Sequence, residues 1–384
     1  MIPATLYLHI PYCKQACHYC DFHFSTSHQT KGDVLKQMRL ELRQKALESP
    51  WNRAAFSSVY FGGGTPSILS IAELSVLLET IHELYALDDN LEVTIEVNPD
   101  DITSQKLAEW RSVGINRLSL GVQSFVDEEL AIMNRAHNSD QAIRALETIA
   151  ESNFTNLSVD LIYGMPGSTL QSWADNLYKL DPYPITHLSA YTLTVEPRTA
   201  LEKSVKKGLI ELPSEECIIG QYQTLRSWTH ERRFEHYELS NFAKGGYMSS
   251  HNSHYWTGEA YLGIGPGAHS FDGVERWWNV SNNSLYAKGQ LPEREMLAPR
   301  DRINEKLMTK LRTAEGFNWS FDLPSEQTKA RELLFSRVKT GVEQGHLSPK
   351  PFGFSIRPEH WMRSDQIISD LFILESDLEE ANDE

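Results

Sequence analysis

Three of the four cysteines of the chain lie within one eight-residue window. Cys13, Cys17 and Cys20 are spaced as C-x3-C-x2-C in HIPYCKQACHYCDFHF, whereas Cys217 stands far away in EECIIGQY. Three thiolates in a short loop can surround one metal centre, and a four-iron cubane held by three thiolates keeps one iron open to an outside ligand. The spacing therefore favours a [4Fe–4S] cluster.

Two other interpretations of these cysteines stay open at this level. A structural zinc ion takes four tetrahedral ligands, and His9, His18 or His23 could supply the one that three thiols lack. Alternatively, the three thiols are inert core side chains. Cys217 is interpreted as a small buried hydrophobic residue and not as a fourth ligand.

The composition restricts the setting of this chemistry. The chain has 384 residues, 40% of them hydrophobic, which is enough for one large domain and a smaller one. Its net charge of −16 disfavours a broad electrostatic contact with nucleic acid. No segment approaches the roughly 18 apolar residues of a membrane helix, and the start MIPATLYLHIP lacks the features of a signal peptide. We therefore expect a cytoplasmic protein, in which clustered thiols are metal ligands or catalytic groups before they are disulfides.

Strand and helix patterns that would position the cysteines alternate along the first half of the chain. Short β-branched and aromatic runs are followed by amphipathic helical patterns, an order that predicts a parallel sheet. Six units are too few for a closed eight-stranded barrel, so we expect an open, barrel-like α/β sheet. The predicted strands are 5–10, 57–61, 92–97, 115–120, 156–164 and 187–193.

The remaining chain is predicted to form a connection and a second domain. Residues 1–240 would make the barrel, with a further strand at 236–243, and residues 241–300 a connecting region with a turn-rich segment at 263–271. Residues 301–384 carry helical patterns and a short strand pair, which predicts a small, mainly helical, winged-helix-like domain. Its basic residues are diluted by acidic ones, so DNA reading is not expected. The acidic end ESDLEEANDE is predicted to be solvated.

Glycines and an acidic residue follow the second and third predicted strands, at the edge where ligands bind in parallel sheets. The run Gly62-Gly63-Gly64-Thr65-Pro66 lets backbone groups approach a ligand closely, although a plain tight turn fits it equally well. Glu96 ends the third strand. Because Asp100 and Asp101 are better placed to cap the next turn, Glu96 is free to meet a ligand hydroxyl or cation.

Three polar side chains on the following strands and helices are further candidates. Gln123 offers a donor and an acceptor to a ligand, or bonds to a neighbouring loop. Arg135 presents a fork that suits a carboxylate, or forms a surface ion pair. Asp160 lies in the otherwise apolar strand SVDLIYG, where an unpaired carboxylate is costly, so we expect a ribose hydroxyl or a basic partner beside it.

The cysteine motif resembles that of the radical S-adenosylmethionine (SAM) superfamily, which has an aromatic residue, here Tyr19, before the last cysteine. The sequence is similar to the coproporphyrinogen-dehydrogenase-like branch of that superfamily, and within it to the heme chaperones, over most of residues 5–271. The similar segments are, in order, YLHIPYCKQACHYCDF, VYFGGGTPS, EVNPD, SLGVQSF, RAH, VDLIYGMPG, SAYTL and GIGPGAHSF.

This resemblance implies a fold, two cofactors and a set of site residues. The fold would be an open, partial (β/α)6 TIM-like barrel, and the unique iron of the [4Fe–4S] cluster would be chelated by the amino and carboxylate groups of SAM. The implied cluster ligands are Cys13, Cys17 and Cys20, and the implied SAM contacts are Tyr7, Tyr19, Gly63, Gly64, Thr65, Glu96, Gln123, Arg135, Asp160 and Ala190.

A second motif in the connecting region points to heme. The segment HNSHYW, residues 251–256, matches the HNxxYW signature of the heme chaperones and implies that His251 ligates heme iron, with Tyr255 and Trp256 packing on the porphyrin. His254 is the weaker candidate because it is not a signature position. Read without the family, a loop of histidine and aromatic residues is more often core packing.

The resemblance implies a heme chaperone that binds heme and transfers it to acceptor proteins. The alternative is an oxygen-independent coproporphyrinogen III oxidase of porphyrin biosynthesis that acts through a 5′-deoxyadenosyl radical. In such oxidases a long extension precedes the cluster, whereas only twelve residues precede Cys13, so we expect the chaperone. A zinc-stabilised binding module is a third class. We expect no nucleic-acid partner and leave open whether the chain forms a homodimer.

Overall fold

The computed structural model describes residues 2–323 and 328–379. Strands β1 to β6 lie side by side in chain order and all run parallel, so the predicted open α/β sheet is confirmed. The elements of this part are β1 (Ile2–Ile10), α1 (Lys31–Lys45), β2 (Ala54–Gly63), α2 (Ile71–Leu84), β3 (Ala86–Val97), α3 (Ser104–Ser112), β4 (Arg117–Gln123), α4 (Asp127–Ile132), α5 (Ser139–Ala150), β5 (Asn156–Tyr163), α6 (Leu170–Tyr178) and β6 (His187–Thr192).

Side-chain capping explains where two of these helices begin. The Ser70 hydroxyl accepts from the Glu73 backbone N–H at the start of α2, and the Glu73 carboxylate accepts from the Ser70 N–H, which is a complete capping box. Thr103 accepts from the Lys106 N–H at the start of α3. Short 3-10 turns occur at Trp51–Arg53, Pro66–Ile68, Pro99–Asp101 and Pro358–Arg363.

The two faces of the sheet differ in polarity. Leu6 and Leu8 of β1 are fully buried in the main apolar core together with Met38 of α1, and burial of each such side chain stabilises the fold by roughly 1.5–3 kcal/mol. The alternate residues of β1, such as Thr5 and Tyr7, are polar. Since successive strand residues point to opposite faces, the helices cover an apolar outer face and the barrel interior is polar.

The chain continues with a hairpin that extends one edge of the sheet. The elements here are α7 (Ala200–Lys206), α8 (Glu215–Glu231), β7 (Glu235–Glu238), β8 (Asn241–Ala243) and α9 (Ser250–Thr257). β8 pairs antiparallel with both β6 and β7. The single strand predicted at 236–243 is therefore two short strands, because the chain reverses at residues 239–240.

The following segment extends the opposite edge. β9 pairs parallel with β1, and the full strand order is β12-β11-β10-β9-β1-β2-β3-β4-β5-β6-β8-β7. Strands β8 to β12, all within the expected connecting region 241–300, thus belong to the same sheet as the barrel. The new elements are β9 (Ala260–Ile264), β10 (His269–Phe271), β11 (Glu275–Trp278), α10 (Asn283–Ala287) and β12 (Glu293–Met296).

The C-terminal part combines helices with a small antiparallel sheet of order β13-β15-β14. Asp377 of the acidic end pairs with Arg337 at 2.9 Å, whereas Glu375 and Ser376 are exposed as predicted, and residues 380–384 lie outside the described residues. None of the described helices is both long and apolar enough to cross a membrane. The elements are α11 (Pro299–Lys310), β13 (Phe317–Asn318), α12 (Thr328–Glu343), β14 (Leu347–Lys350), β15 (Gly353–Ile356), α13 (Ser364–Ser369) and α14 (Glu375–Glu379).

Candidate cofactor site

A cavity of about 490 Å³ opens at the carboxyl ends of β1 to β6. Most of the predicted cluster and SAM residues line it. They come from the cysteine loop after β1, from four further strands and, for Arg135, from the turn after α4. Those that do are Cys13, Cys17, Tyr19, Cys20, Gly63, Gly64, Thr65, Glu96, Gln123, Arg135 and Asp160.

The cysteine loop is held together by its own backbone. The Cys13 N–H donates to the Ser25 carbonyl at 3.0 Å, and the Ser25 N–H donates to the Pro11 carbonyl at 2.8 Å. The three thiols are free and only partly buried. Burial raises the pKa of Cys13 and of Cys20 to about 11 in each case, so both are neutral thiols near pH 7 until a metal centre displaces their protons.

The donor set fits a cubane better than zinc. Among the described residues, no three His, Cys, Asp or Glu side chains form a group that could hold a single metal ion. The three histidines considered for zinc are also engaged elsewhere. His9 Nε2 lies 2.9 Å from the His23 carbonyl, His18 Nδ1 lies 2.9 Å from the Ile132 carbonyl, and His23 Nε2 lies 2.7 Å from the Asn283 side-chain oxygen. Zinc needs four donors around one ion. Three separate thiols beside an open cavity suit a cluster in which each thiolate binds its own iron.

The glycine-rich loop after β2 packs directly on the cysteine loop. The Gly64 N–H donates to the Ile10 carbonyl at 2.9 Å and the Thr65 N–H donates to the Tyr12 carbonyl at 2.7 Å. A Cβ atom on Gly64 would lie 2.7 Å from the Tyr12 carbonyl oxygen, and Gly63 adopts φ = +107°. Only glycine fits these two positions, which keep bare backbone at the cavity wall.

Glu96 is fixed by two donors at the end of β3. The Tyr60 hydroxyl donates to one carboxylate oxygen at 2.9 Å, and the Gly63 N–H donates to the other at 3.1 Å. Burial raises the pKa of Glu96 to about 7 in spite of these hydrogen bonds. A positive group entering the cavity would therefore bind a carboxylate that is close to its titration point.

The expectation that Asp100 and Asp101 cap the turn after β3 is wrong. The Lys14 ammonium donates to both carboxylates, at 2.7 and 2.5 Å, and the Ser67 hydroxyl donates to Asp101 at 2.7 Å. The cap of α3 is Thr103 instead. The two aspartates thus tie the cysteine loop, through Lys14, to the loops that follow β2 and β3.

Arg135 points into the site and does not form the surface ion pair considered from the sequence. Its Nη1 lies 3.3 Å from the Cys17 sulfur, and its Nη2 donates to the Asn98 side chain at 2.7 Å and to the Gly121 carbonyl at 3.0 Å. Burial lowers the pKa of this guanidinium, but Tyr19 and Cys17 outweigh burial and raise it overall. Its Nε atom is buried without a partner, which leaves a donor for a carboxylate.

Gln123 and Asp160 reach the cavity by different means. The pairing of β4 with β5 shifts register between Gly121 and Gln123, and Gln123 adopts φ = +66°, so a bulge turns its side chain. Asp160 accepts from Ser119 at 3.0 Å and from Ser158 at 3.3 Å, and burial raises its pKa. Two serine hydroxyls therefore contact this carboxylate, and the charge of Arg117 partly offsets the effect of burial on its pKa. The expected contact with a ribose hydroxyl stays a prediction.

Tyr7, Ala190 and His251 are not among the residues that line the cavity. The Tyr7 hydroxyl lies 3.1 Å from His9 Nδ1, one layer below the glycine-rich loop. Ala190 is part of the outer apolar core, and its N–H donates to the Ser240 carbonyl at 2.8 Å.

Helix α9, which carries the HNxxYW motif, is inserted into the barrel interior. His251 is 2% exposed, its Nδ1 lies 2.6 Å from the Thr5 hydroxyl, and its ring stacks on Tyr60 with a centroid distance of 4.5 Å. Burial lowers the pKa of His251 well below its usual value, and its Nε2 atom is buried without a hydrogen-bond partner. The next residue, Asn252, lines the cavity, so α9 forms part of the cavity floor.

Polar and aromatic contacts hold α9 at both ends. The Glu92 carboxylate accepts from the Ser250 N–H at 3.2 Å and from the His251 N–H at 3.1 Å, which satisfies the helix N-terminus. Tyr255 meets the His251 ring edge-on at 5.3 Å. His254 Nε2 lies 3.0 Å from the Glu259 carboxylate.

Sequence reasoning missed several residues of the cavity wall. Asn98 joins two predicted residues, since its amide donates to the Thr65 hydroxyl at 3.2 Å and accepts from Arg135. Tyr60 and Ser119 also line the cavity. A period of two, counted back from the strand ends, would have placed both on the inward face.

Comparisons with known proteins agree with this geometry. The sequence pattern of the radical SAM superfamily matches residues 7–177. The heme chaperone HemW of Bacillus subtilis (strain 168) is 33% identical over 320 residues, which cover 81% of this chain and 84% of that protein. HemW of Synechocystis sp. is 32% identical over 354 residues, covering 89% of this chain and 85% of that one.

The fold is similar to that of coproporphyrinogen III oxidase (HemN) from Escherichia coli, described as a radical SAM enzyme. The TM-score is 0.82 at 23% sequence identity, and the match covers 97% of this chain and 90% of the other. The three thiols fit a [4Fe–4S] cluster, and the bare glycine loop with the free Arg135 donor fits SAM beside it. On sequence pattern, relatives and site geometry together, this chain belongs to the radical SAM superfamily, in the branch that contains the HemW proteins.

Proposed function

We propose that this chain is a heme chaperone, which binds heme and transfers it to acceptor proteins while carrying a [4Fe–4S] cluster and an exchangeable SAM. One observation carries the proposal: named heme chaperones are 33% identical to the chain over 81% of its length. The HNxxYW residues occur in this chain on one helix, α9, at the floor of the cofactor cavity.

The cluster and SAM would be held by the residues of the cavity. Cys13, Cys17 and Cys20 would each bind one iron, and the bound cluster would supply an electron for reductive chemistry on SAM. The backbone of the glycine-rich loop would face the amino group of SAM and Arg135 its carboxylate. Asp160 would accept from a ribose hydroxyl. Further SAM contacts are proposed from the family motifs for Tyr7, Tyr19, Gly63, Gly64, Thr65, Glu96, Gln123 and Ala190.

Heme is proposed to bind through His251. In the structure this ring is enclosed by Tyr60 and Tyr255 and hydrogen-bonded to Thr5, so a flat macrocycle meets no exposed imidazole. Iron ligation would therefore require α9 to leave its place in the barrel. The unpartnered Nε2 atom favours such a change, because it gains a ligand that the closed state does not provide.

The setting is proposed to be the cytoplasm. The four cysteines are free thiols in the structure, which agrees with a reducing compartment. No nucleic-acid partner is proposed, because the net charge of −16 opposes binding to a polyanion.

Heme titration of the anaerobically reconstituted chain tests the proposal. We expect saturable binding with an absorbance shift, weakened by about tenfold or more in His251→Ala, as for loss of a metal ligand. His254→Ala is the matched control on the same helix and should bind nearly as wild type. Heme should then pass to apomyoglobin, used as a model acceptor.

The same preparation distinguishes the alternative enzyme. With SAM and a reductant, a chaperone leaves coproporphyrinogen unconverted. Conversion to protoporphyrinogen would instead favour an oxidase like HemN, with which the chain shares its fold. Unchanged heme affinity in His251→Ala would contradict the assignment of the iron ligand alone.

A further inference from the structure

The turn that ends α4 is joined to the cysteine loop by a set of reciprocal hydrogen bonds. The Gln15 side-chain amide donates to the Asn134 carbonyl at 3.1 Å and to the Asn134 side-chain oxygen at 2.8 Å. The Asn134 side-chain amide donates in return to the Ala16 carbonyl at 2.7 Å. The His18 N–H donates to the Met133 carbonyl at 3.0 Å. We call residues 132–135 the α4 turn.

The contacts of the α4 turn bracket one cluster ligand. Two of the residues that it contacts, Ala16 and His18, flank Cys17 on either side. The His18 ring adds a bond from Nδ1 to the Ile132 carbonyl at 2.9 Å. The position of Cys17 is thus set by a different strand–helix unit from the one that carries it.

Asn134 has the backbone conformation that this turn requires. Its φ is +55°, in the left-handed region that asparagine tolerates better than most residues and that ends many helices. Both polar atoms of its side chain are engaged with the cysteine loop, so the amide has a single orientation. The next residue, Arg135, contacts the Cys17 sulfur and Asn98.

We propose that Asn134 is a positioning residue for the cofactor site: it fixes Cys17 and Arg135 relative to each other, and so the cluster relative to the carboxylate-binding donor. One short turn places a thiolate ligand on one side and the guanidinium on the other. This inference depends on the cluster and SAM and not on the proposed transfer of heme. A residue in this role touches neither cofactor. Its substitution alters how firmly the cluster is retained and how tightly SAM binds.

Loss of outer contacts of this kind lowers metal affinity by about 10–100-fold. For Asn134→Ala we therefore expect the reconstituted full-length chain to release iron to a chelator at least about tenfold faster than wild type. We also expect the EPR signal of the reduced cluster to be broader than in wild type. A higher SAM concentration than in wild type should be needed to change that signal. Gln15→Ala removes two of the hydrogen bonds from the opposite side, without a change at the left-handed residue, and should show the same effects more weakly.

Two further variants separate hydrogen bonding from backbone strain. Asn134→Gly relieves any strain at positive φ and still loses the side-chain bonds, so it should behave like Asn134→Ala. Arg233 is a matched control: it also follows a helix and has φ = +60°, but it precedes β7 at the amino-terminal edge of the sheet, opposite the cavity. Arg233→Ala should lower the melting temperature without faster iron release.

Three results would overturn the proposal, and the third applies if Asn134→Ala does not fold. Wild-type iron release and SAM response in Asn134→Gly would show that only the backbone conformation matters. Equal iron release in Asn134→Ala and Arg233→Ala, at equal loss of thermal stability, would show a general structural effect. If Asn134→Ala does not fold, Gln15→Ala decides alone, and wild-type behaviour of that variant counts against the role of the α4 turn.

Discussion

The barrel interior has an upper half, at the carboxyl ends of the strands, and a lower half beneath it. The same strands build both halves, but the two differ in what fills them. At the carboxyl ends, a cavity of about 490 Å³ is surrounded by partly exposed thiols and bare glycine backbone. Below it, α9 fills the interior, and His251 is 2% exposed. The cofactor site is thus open in the structure, whereas the heme motif is closed.

One chain of contacts joins the two halves. Tyr60 stacks on His251 below and donates to Glu96 above, and Glu96 accepts from the Gly63 N–H in the glycine-rich loop. Asn252 reaches the cavity from α9 itself. Because a ligand that moves α9 must disturb these contacts, occupation of the two halves should be linked, and linkage acts in both directions.

The largest expected effect is at the thiols of the open half. Cys17→Ala leaves two thiols, which is too few for a cubane with three protein ligands, so iron and acid-labile sulfide after reconstitution should fall to background. Cys217→Ala is the matched control, because this thiol lies on α8 outside the cavity. A full complement of iron in Cys17→Ala would show that another residue serves as ligand.

A smaller effect concerns the carboxylate between the halves. Burial raises the pKa of Glu96 from 4.5 to about 7, so the folded chain keeps its proton while the unfolded chain loses it. Between about pH 4.5 and 7 this group therefore lowers stability as pH rises, by about 3 kcal/mol in total, and contributes no further change above pH 7.

Urea unfolding of the cluster-free chain from pH 5 to pH 8 measures this change. The unfolding free energy of wild type minus that of Glu96→Gln should fall as the pH rises toward 7 and stay constant above it. Glu238→Gln is the control, because burial raises the pKa of Glu238 to about 7 as well. This variant should keep the pH-dependent loss of stability that Glu96 causes. A pH-independent difference would mean that Glu96 is already ionised in the fold.

The smallest expected effect tests whether the lower half must open. Glu92→Gln removes the charge that stabilises the start of α9 and keeps an acceptor oxygen for the Ser250 and His251 N–H groups. It also removes the charge 3.9 Å from the buried Arg117 guanidinium, but both residues lie on strands, so that loss is the same whether or not α9 moves. Loss of about 1 kcal/mol of stabilisation of α9 in its closed position should raise the population of the opened state about fivefold. If heme binds only the opened state, heme association should be about fivefold faster, and stopped-flow absorbance measures this rate. Slower or unchanged association would indicate that heme binds without displacement of α9.

The open half was predictable from the sequence because its residues stand at strand ends. The cysteines and glycines follow predicted strands and Glu96 lies at the end of one, and parallel strands bring such positions to one edge. The closed half was not, since the placement of α9 in the barrel depends on packing between Thr5, Tyr60 and His251, which no local pattern encodes.

Three other differences have local causes that a sequence pattern hides. The pattern predicts one strand for β7 and β8 because their two-residue reversal, 239–240, contains neither glycine nor proline. The role of Asn134 depends on a positive φ, which asparagine tolerates but does not require, so the residue type alone does not predict it. The segment that carries β9 is predicted as a connection, since its strands are short and interrupted by glycines.

EPR spectroscopy of the reduced, reconstituted chain with and without SAM tests the central claim most directly. If three cysteines hold a [4Fe–4S] cluster with one open iron beside the cavity, SAM must bind that iron and shift the g-values of the reduced cluster. The account predicts this shift at saturating SAM. An unchanged spectrum, or a protein that contains zinc and no sulfide, would contradict it.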